Sequence, residues 1–425
     1  MEQQAMYAII IFLVIYALII SEKIHRTIVA MIGALLMIGA GIVSQETALH
    51  HIDFNTLGLL IGMMIIVSIT AQTGLFKYIA IWAAKKAGGS PVRILVALGL
   101  ITAIASAFLD NVTTVLLMVP VTFSITRQLR VTPIPYLLTQ VLASNIGGTA
   151  TLIGDPPNIM IGSAVKELTF MAFITNLAPV IAIILVVTIA ILAFWYRDQL
   201  RTEPALQAEL MQMNEKDELM DSKLLKKSLF VLALTIGGFF AHQALHLESA
   251  TVALVGAFLL LLISGEAYLE PALERVEWTT IFFFIGLFVL VAGLIETGVI
   301  AALAQKAMSL TGGNLKETAL LILWLSAIAS AFVDNIPFVA TMIPMIQEMG
   351  KMGMNHLEPL WWALSLGACL GGNGTLIGAS ANVIVAGMAA KEGHHISFMR
   401  FLWIGFPLML ISIIISTVYI YIRYL

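Results

Sequence analysis

Charge is scarce in this sequence: Asp, Glu, Lys and Arg make up only 11% of its 425 residues. Soluble domains carry about a quarter of their residues as charges, so a chain this poor in charge has too little to dress a surface facing water. Together with 60% hydrophobic residues and a mean hydropathy of +0.98, this identifies a polytopic membrane protein. Cysteine is nearly missing. Cys369 stands alone, which excludes an internal disulfide framework and any all-thiolate metal site. The formal net charge of −3 is too small to imply a nucleic-acid partner. No GxxxxGK[ST] phosphate loop occurs, so any pumping draws on an ion gradient or on a partner ATPase. No nucleophile–base pair or membrane-depth histidine is evident, which argues against an enzyme. A small-residue cleavage site is also missing after the first apolar run, 6–20, which therefore reads as a retained helix.

What the chain has instead is long apolar runs. A span needs about 20 residues, and inside lipid its backbone must be helical to satisfy its own hydrogen bonds. The fold class is therefore all-α. Ten spans are expected near 6–20, 27–43, 56–73, 134–166, 172–195, 228–246, 250–264, 278–296, 359–391 and 402–422. Most of the polar sequence lies at 197–227 and separates two halves, 1–196 and 228–425.

The halves repeat each other. "AIASAFLDN" ends at Asn111 and "AIASAFVDN" at Asn335, and at the same offset of 224 Gly62 pairs with Gly286, Pro120 with Pro344 and Thr151 with Thr375. A repeat of this kind must be read before any local feature. Shorter apolar pairs near 91–125 and 315–349 bend at the Asp-Asn sequences. Taken as re-entrant hairpins, they leave Lys23, Arg26, Lys77, Lys85, Lys86, Arg93, Arg127, Arg130, six linker cations, Arg275, Lys391 and Arg400 in the cytoplasm, 17 of 22. That bias supports the hairpin topology, with both termini outside and the two repeats inverted. Inverted repeats with broken helices are a common architecture of secondary transporters. Two lysine-bearing segments, "LFKYIAIWAAKK" and "VIAALAQKAMSL", are too short to cross and read as helices lying at the interface.

Candidate chemistry collects at the tips and breaks. Asp110, Asn111 and Thr113 form one tip, Asp334 and Asn335 the other. An acid at membrane depth costs several kcal/mol unless a proton, a cation or a shell of donors neutralises it. The competing reading is that each aspartate only caps the second arm of its hairpin, and the two roles can coexist. "SNIGGTATLIGDPPN" (144–158) and "GACLGGNGTLIGASAN" (367–382) read as spans broken midway at Gly147, Gly148, Gly154, Pro156 and Pro157, and at Gly371, Gly372, Gly374 and Gly378. Asn145, Thr149, Thr151, Asn158, Asn373, Thr375 and Asn382 then offer neutral oxygen and amide groups suited to a hard cation such as Na⁺. Close helix packing is the plainer account of the glycines, though it explains neither the prolines nor the polar cluster. Asp155 has no acidic mate, since Ala379 occupies the equivalent position. Glu296, facing Gln72 across the repeat, reads as an interfacial carboxylate at a span end. The pairs His50-His51 and His394-His395 read as solvated loop residues, and Cys369 as a buried inert thiol.

With "SAFLDN", "IGDPPN", "SAFVDNIPFVATMIP" and "GGNGTLIGASAN" in view, the chain resembles the ion transporter superfamily. The likeness is to the branch of arsenical pump membrane proteins, NhaD-type antiporters and P-protein-type permeases, closest to the last. The resemblance implies a scaffold and a transport part in each half, a site at the hairpin tips and broken helices, and a homodimer. Divalent-anion and citrate carriers of the superfamily carry Ser-Asn-Thr where this chain has Asp110-Asn111-Val112 and Asp334-Asn335-Ile336. The expected function is a multi-pass cell-membrane secondary transporter of a small inorganic ion or solute, with H⁺ or Na⁺ as coupling ion and no other cofactor. Arsenite or antimonite efflux, served by a partner ATPase, is the main alternative, followed by a sodium-coupled anion or dicarboxylate symporter or an anion channel.

Overall fold

A computed structural model describes residues 2–21 and 23–425; Met1 and Glu22, both within the first expected repeat, lie outside the described residues. Among these there are twenty-one α-helices and no strand. The chain opens with α1 (Glu2–Ser21), α2 (Arg26–Gly39) and the short α3 (Gln45–His51). It continues with α4 (Phe54–Ala71), α5 (Leu75–Lys86), α6 (Pro91–Phe108), α7 (Asn111–Gln128), α8 (Ile134–Gly148), α9 (Pro156–Ala164) and α10 (Phe170–Tyr196). A small α11 (Pro204–Met211) sits in the connecting segment. Then follow α12 (Ser222–Ala241), α13 (Ser249–Ser264), α14 (Leu269–Glu274), α15 (Trp278–Glu296), α16 (Val299–Leu310) and α17 (Leu315–Phe332). The last four are α18 (Asn335–Lys351), α19 (Glu358–Gly371), α20 (Ser380–Lys391) and α21 (Phe398–Tyr424).

Among the described residues, eight helices are long and apolar enough to cross a membrane. Six of them, α1, α4, α10, α12, α15 and α21, coincide with expected spans; the other two, α6 and α17, are the first arms of the hairpins. The remaining four expected spans differ in form. α2 and α13 have only 14 and 16 residues, about 21 and 24 Å of helix at 1.5 Å per residue, short of a hydrocarbon core of about 30 Å. The other two are each split, α8 from α9 and α19 from α20, by seven- and eight-residue breaks at 149–155 and 372–379.

α4 and α15 form the centre of the molecule, with 72% and 67% of their apolar windows buried, against 17% for α1. Each packs on a short helix from the other half: α4 on α13, α15 on α2. Glycine sets the closeness of both contacts. A Cβ on Gly62 would lie 2.7 Å from the Ala253 backbone, and one on Gly286 would lie 2.7 Å from that of Ala30. The hairpins follow the same exchange. α6 lies along α8 and α17 along α19, while the second arms cross over, α7 to α20 and α18 to α9. Two small-residue contacts and two crossed arms thus interlock the halves around one centre.

The helices α5 and α16 begin at Gly74 and Gly298, both left-handed at φ +81° and +78°, where a side chain would be strained. Only α5 is strapped by the connecting segment: Lys85 Nζ donates to Glu215 Oε2 (2.6 Å) and Met213 O (2.7 Å), and Met220 N donates to Thr73 O (3.1 Å). The Lys85 ammonium holds the Glu215 carboxyl below its ordinary range.

Candidate functional site at the hairpin tips

Both tip aspartates cap the helix that follows. Asp110 Oδ1 accepts from Thr113 N at 2.8 Å, and the Thr113 hydroxyl donates to Asp110 Oδ2. Asp334 Oδ1 accepts from Ile336 N at 3.2 Å. Beyond capping, the two diverge. Asp334 Oδ2 is ion-paired with Arg26 Nη1 at 2.5 Å and accepts from Ser380 Oγ at 3.0 Å. Asp110 has no such partner among the described residues.

Behind the tips, the two breaks are joined through asparagine. Asn145 Nδ2 donates to Asn373 Oδ1 (2.9 Å) and Asn382 Oδ1 (3.0 Å), and Asn145 Oδ1 accepts from Asn111 Nδ2 (3.0 Å). One side chain therefore links the first broken helix to the first tip and to both sides of the second break. Asn158 and Asn382 close their own breaks in the same manner. Asn158 Nδ2 donates to Thr149 O and Thr151 O, and Asn382 Nδ2 to Gly372 O and Thr375 O, all within 3.1 Å. Asn373 Nδ2 reaches Leu142 O at 3.3 Å, and Thr149 Oγ1 bonds Asn145 O at 2.7 Å. The Thr151 and Thr375 hydroxyls each donate to a hairpin carbonyl of their own half, Ala107 O and Ala331 O. Carbonyls freed by the breaks are thereby satisfied, as buried polar groups must be.

The glycines at the breaks act by closeness and not by unusual backbone angles. None of Gly147, Gly148, Gly154, Gly371, Gly372, Gly374 or Gly378 has a positive φ. A Cβ on Gly147 would run into the Ala103 carbonyl, and one on Gly371 into that of Ala327, so the first hairpin arms could not lie against α8 and α19. Pro156 and Pro157 sit in the first turn of α9, where the missing N–H is tolerated.

A cavity of about 60 Å³ lies between the tips. Asp110, Asn111, Asp155 and Asn335 line it, as do two residues that the sequence reading did not single out, Arg26 and Glu277. Asp155 is fully buried. It precedes α9 without capping it; Oδ1 accepts from Asn335 Nδ2 at 3.4 Å, and Oδ2 has no partner among the described residues. Glu277 accepts from Thr280 Oγ1 at 3.0 Å. Arg26, by sequence one of the cytoplasmic loop charges, sits between this cavity and a second one of about 340 Å³ lined by Asp334 and Ser380. The other expected site residues, Thr113, Asn145, Thr149, Thr151, Asn158, Asn373, Thr375 and Asn382, stand behind the cavity wall as braces. Glu296 and His51 meet at 3.1 Å, both partly exposed, and Cys369 is buried with its thiol 3.6 Å from Asn158 Oδ1.

The citrate transporter family, CitMHS, matches residues 16–367, most of the chain and both hairpin tips, and stops short of the second break at 372–379. The chain belongs to this family. An uncharacterized transporter of Mycobacterium tuberculosis (strain CDC 1551 / Oshkosh) is 44% identical over 425 residues, covering 98% of each chain. The P protein of Mus musculus is 35% identical over 506 residues, which take in all of this chain and 61% of the mouse protein. The YdaH transporter of Alcanivorax borkumensis shares the fold at a TM-score of 0.59, covering 88% of this chain and 87% of its own, with 15% identity; its structure is described as having an unusual topology. The chain is thus a multi-pass membrane transporter of the CitMHS and P-protein type.

Proposed function

We propose that the chain is a secondary transporter of small ions driven by an H⁺ or Na⁺ gradient, with the coupling cation held between the hairpin tips. The observation that carries this reading is the charge balance of the central cavity. Asp110, Asp155 and Glu277 share a space of about 60 Å³, and the one cation lining it among the described residues, Arg26, already serves Asp334. Like charges at such range repel strongly in a poorly solvated interior, so an exchangeable proton or metal cation is needed to settle them. Citrate, the substrate in the family's description, brings further carboxylates to a wall that already holds three, and the tips lack the Ser-Asn-Thr sequence. A cation-coupled mechanism meets neither difficulty.

The test is flux in proteoliposomes with imposed pH and Na⁺ gradients, screening Na⁺, arsenite, chloride, dicarboxylates and citrate. Transport that follows one of the two gradients supports the reading. Transport of any of these solutes that is indifferent to both gradients contradicts it.

A further inference from the structure

Although the two tips share a sequence, their surroundings are not equivalent. Around Asp334 stand Arg26, bonded to its Oδ2, and Ser380, which accepts from Arg26 Nη1 at 2.8 Å while donating to the same carboxylate oxygen. The guanidinium also lies over the Phe283 ring, 4.8 Å from its centroid, a contact that holds a desolvated cation in place. At the equivalent positions of the other repeat every one of these groups is replaced. Ser249 opens α13 where Arg26 opens α2, Pro156 stands where Ser380 does, and Leu59 where Phe283 does. The central cavity gains acids instead. Asp155 replaces Ala379, and Glu277 lines the cavity, whereas its repeat mate Asp53 is fully engaged by Asn55 N, Thr56 N, Thr56 Oγ1 and Ser163 Oγ.

We propose that Arg26 is a tethered cation that permanently fills the Asp334 half of the ion site, so that exchangeable cation binding falls to Asp110, Asp155 and Glu277. This deepens the cation-coupled reading above and rests on it. Asp155 lines the space that the cation takes, and its buried Oδ2 has no hydrogen-bond partner among the described residues. Of the other titratable groups nearby, the exposed His25 lines the second cavity and caps α2, its Nδ1 accepting from Thr27 N, Tyr16 is engaged with Pro337 O (2.6 Å) and Thr341, and the Cys369 thiol with Asn158. None of them lines the central cavity. Although it repeats the sequence of the Asp110 tip, the Asp334 tip is therefore expected to add no exchangeable ion of its own.

Two measurements test this. In wild-type protein, reversal potentials in proteoliposomes under opposed H⁺ or Na⁺ gradients, with ²²Na⁺ binding to purified protein as the arm that separates Na⁺ from H⁺, give the number of coupling cations per protomer. In Arg26→Gln the tethered charge is gone and the Asp334 carboxylate is left open, so that number should rise by one, and adding Asp334→Asn to the same variant should remove the extra cation. A folded Arg26→Gln protein with the wild-type number, or an extra cation that persists when Asp334→Asn is added, would overturn the assignment. Wild-type transport coupled to neither ion would overturn this proposal together with the proposed function, whereas an unchanged number in a coupled Arg26→Gln protein overturns this proposal alone.

Discussion

Truncating Asn145 to alanine removes three hydrogen bonds at once, all between separate helices or across a break. Asn111 Nδ2, Asn373 Oδ1 and Asn382 Oδ1 each lose a partner, and all three residues are at most 5% exposed. Interhelical hydrogen bonds in membrane proteins average about 0.6 kcal/mol and reach about 1.7, so three amount to roughly 2 to 5 kcal/mol. Burial of all three partners favours the upper end. The assay is reversible unfolding of the purified protein by denaturing detergent, with Thr139→Val as control, since Thr139 Oγ1 bonds only Pro135 O one turn back in its own helix. Asn145→Ala should lose about 2 to 5 kcal/mol, and Thr139→Val far less. An Asn145→Ala protein within about 0.5 kcal/mol of wild type, the range of an ordinary surface substitution, would refute the claim that this side chain joins the halves.

Further outcomes follow from the packing and the charges. Gly62→Ala and Gly286→Ala each push a central helix off its partner's backbone and should cost about 1 to 3 kcal/mol. Gly237→Ala, with nothing near its Cβ, should be neutral or stabilising by thermal melting. Glu215 has its folded pKa depressed by Lys85, so the strap it forms is fully present above the ordinary glutamate value of about 4.3 and is released as pH falls through the lower, folded value. Proteolysis within 197–227 should increase on acidification, and Lys85→Ala should show the same sensitivity already at neutral pH. Cysteines at Gln3 and Tyr424 should react with impermeant reagents from outside intact cells and one at Glu209 only from inside; outside labelling of Glu209 would contradict the inverted topology.

Much of this architecture was legible because it is written twice. The offset of 224 returns in the helix bounds themselves, with Pro91–Phe108 matching Leu315–Phe332 and Leu75–Lys86 matching Val299–Leu310. Local chemistry announced the breaks as well, since glycines, prolines and amides in mid-span admit few other readings. What stayed hidden was the partner of each charge. Arg26 and Glu277 both stand at the start of an apolar run, where a charge is cheap and ordinarily meets water. Only the fold shows that these two helix starts reach the tips, and the bond from Arg26 to Asp334 spans 308 positions of sequence. The residues most visible in the motifs, the asparagines and threonines of the breaks, prove to brace the cavity from behind. Residues with no motif at all complete its charge. α13 falls within one residue of its expected bounds, whereas α2 ends four residues early because the apolar run continues through 40–43 after the helix has stopped.

The central claim is that the Asp110 half of the cavity binds the coupling cation, and Asp110→Asn tests it most directly. Asparagine keeps the size of the side chain and caps α7 about as well as aspartate, so folding and insertion should persist. Only the ionisable charge is lost. Measured in proteoliposomes with imposed pH and Na⁺ gradients, the variant should lose gradient-driven flux, or lose its dependence on the coupling ion. Wild-type coupling retained in a folded Asp110→Asn protein would contradict the account, leaving the aspartate as a helix cap alone.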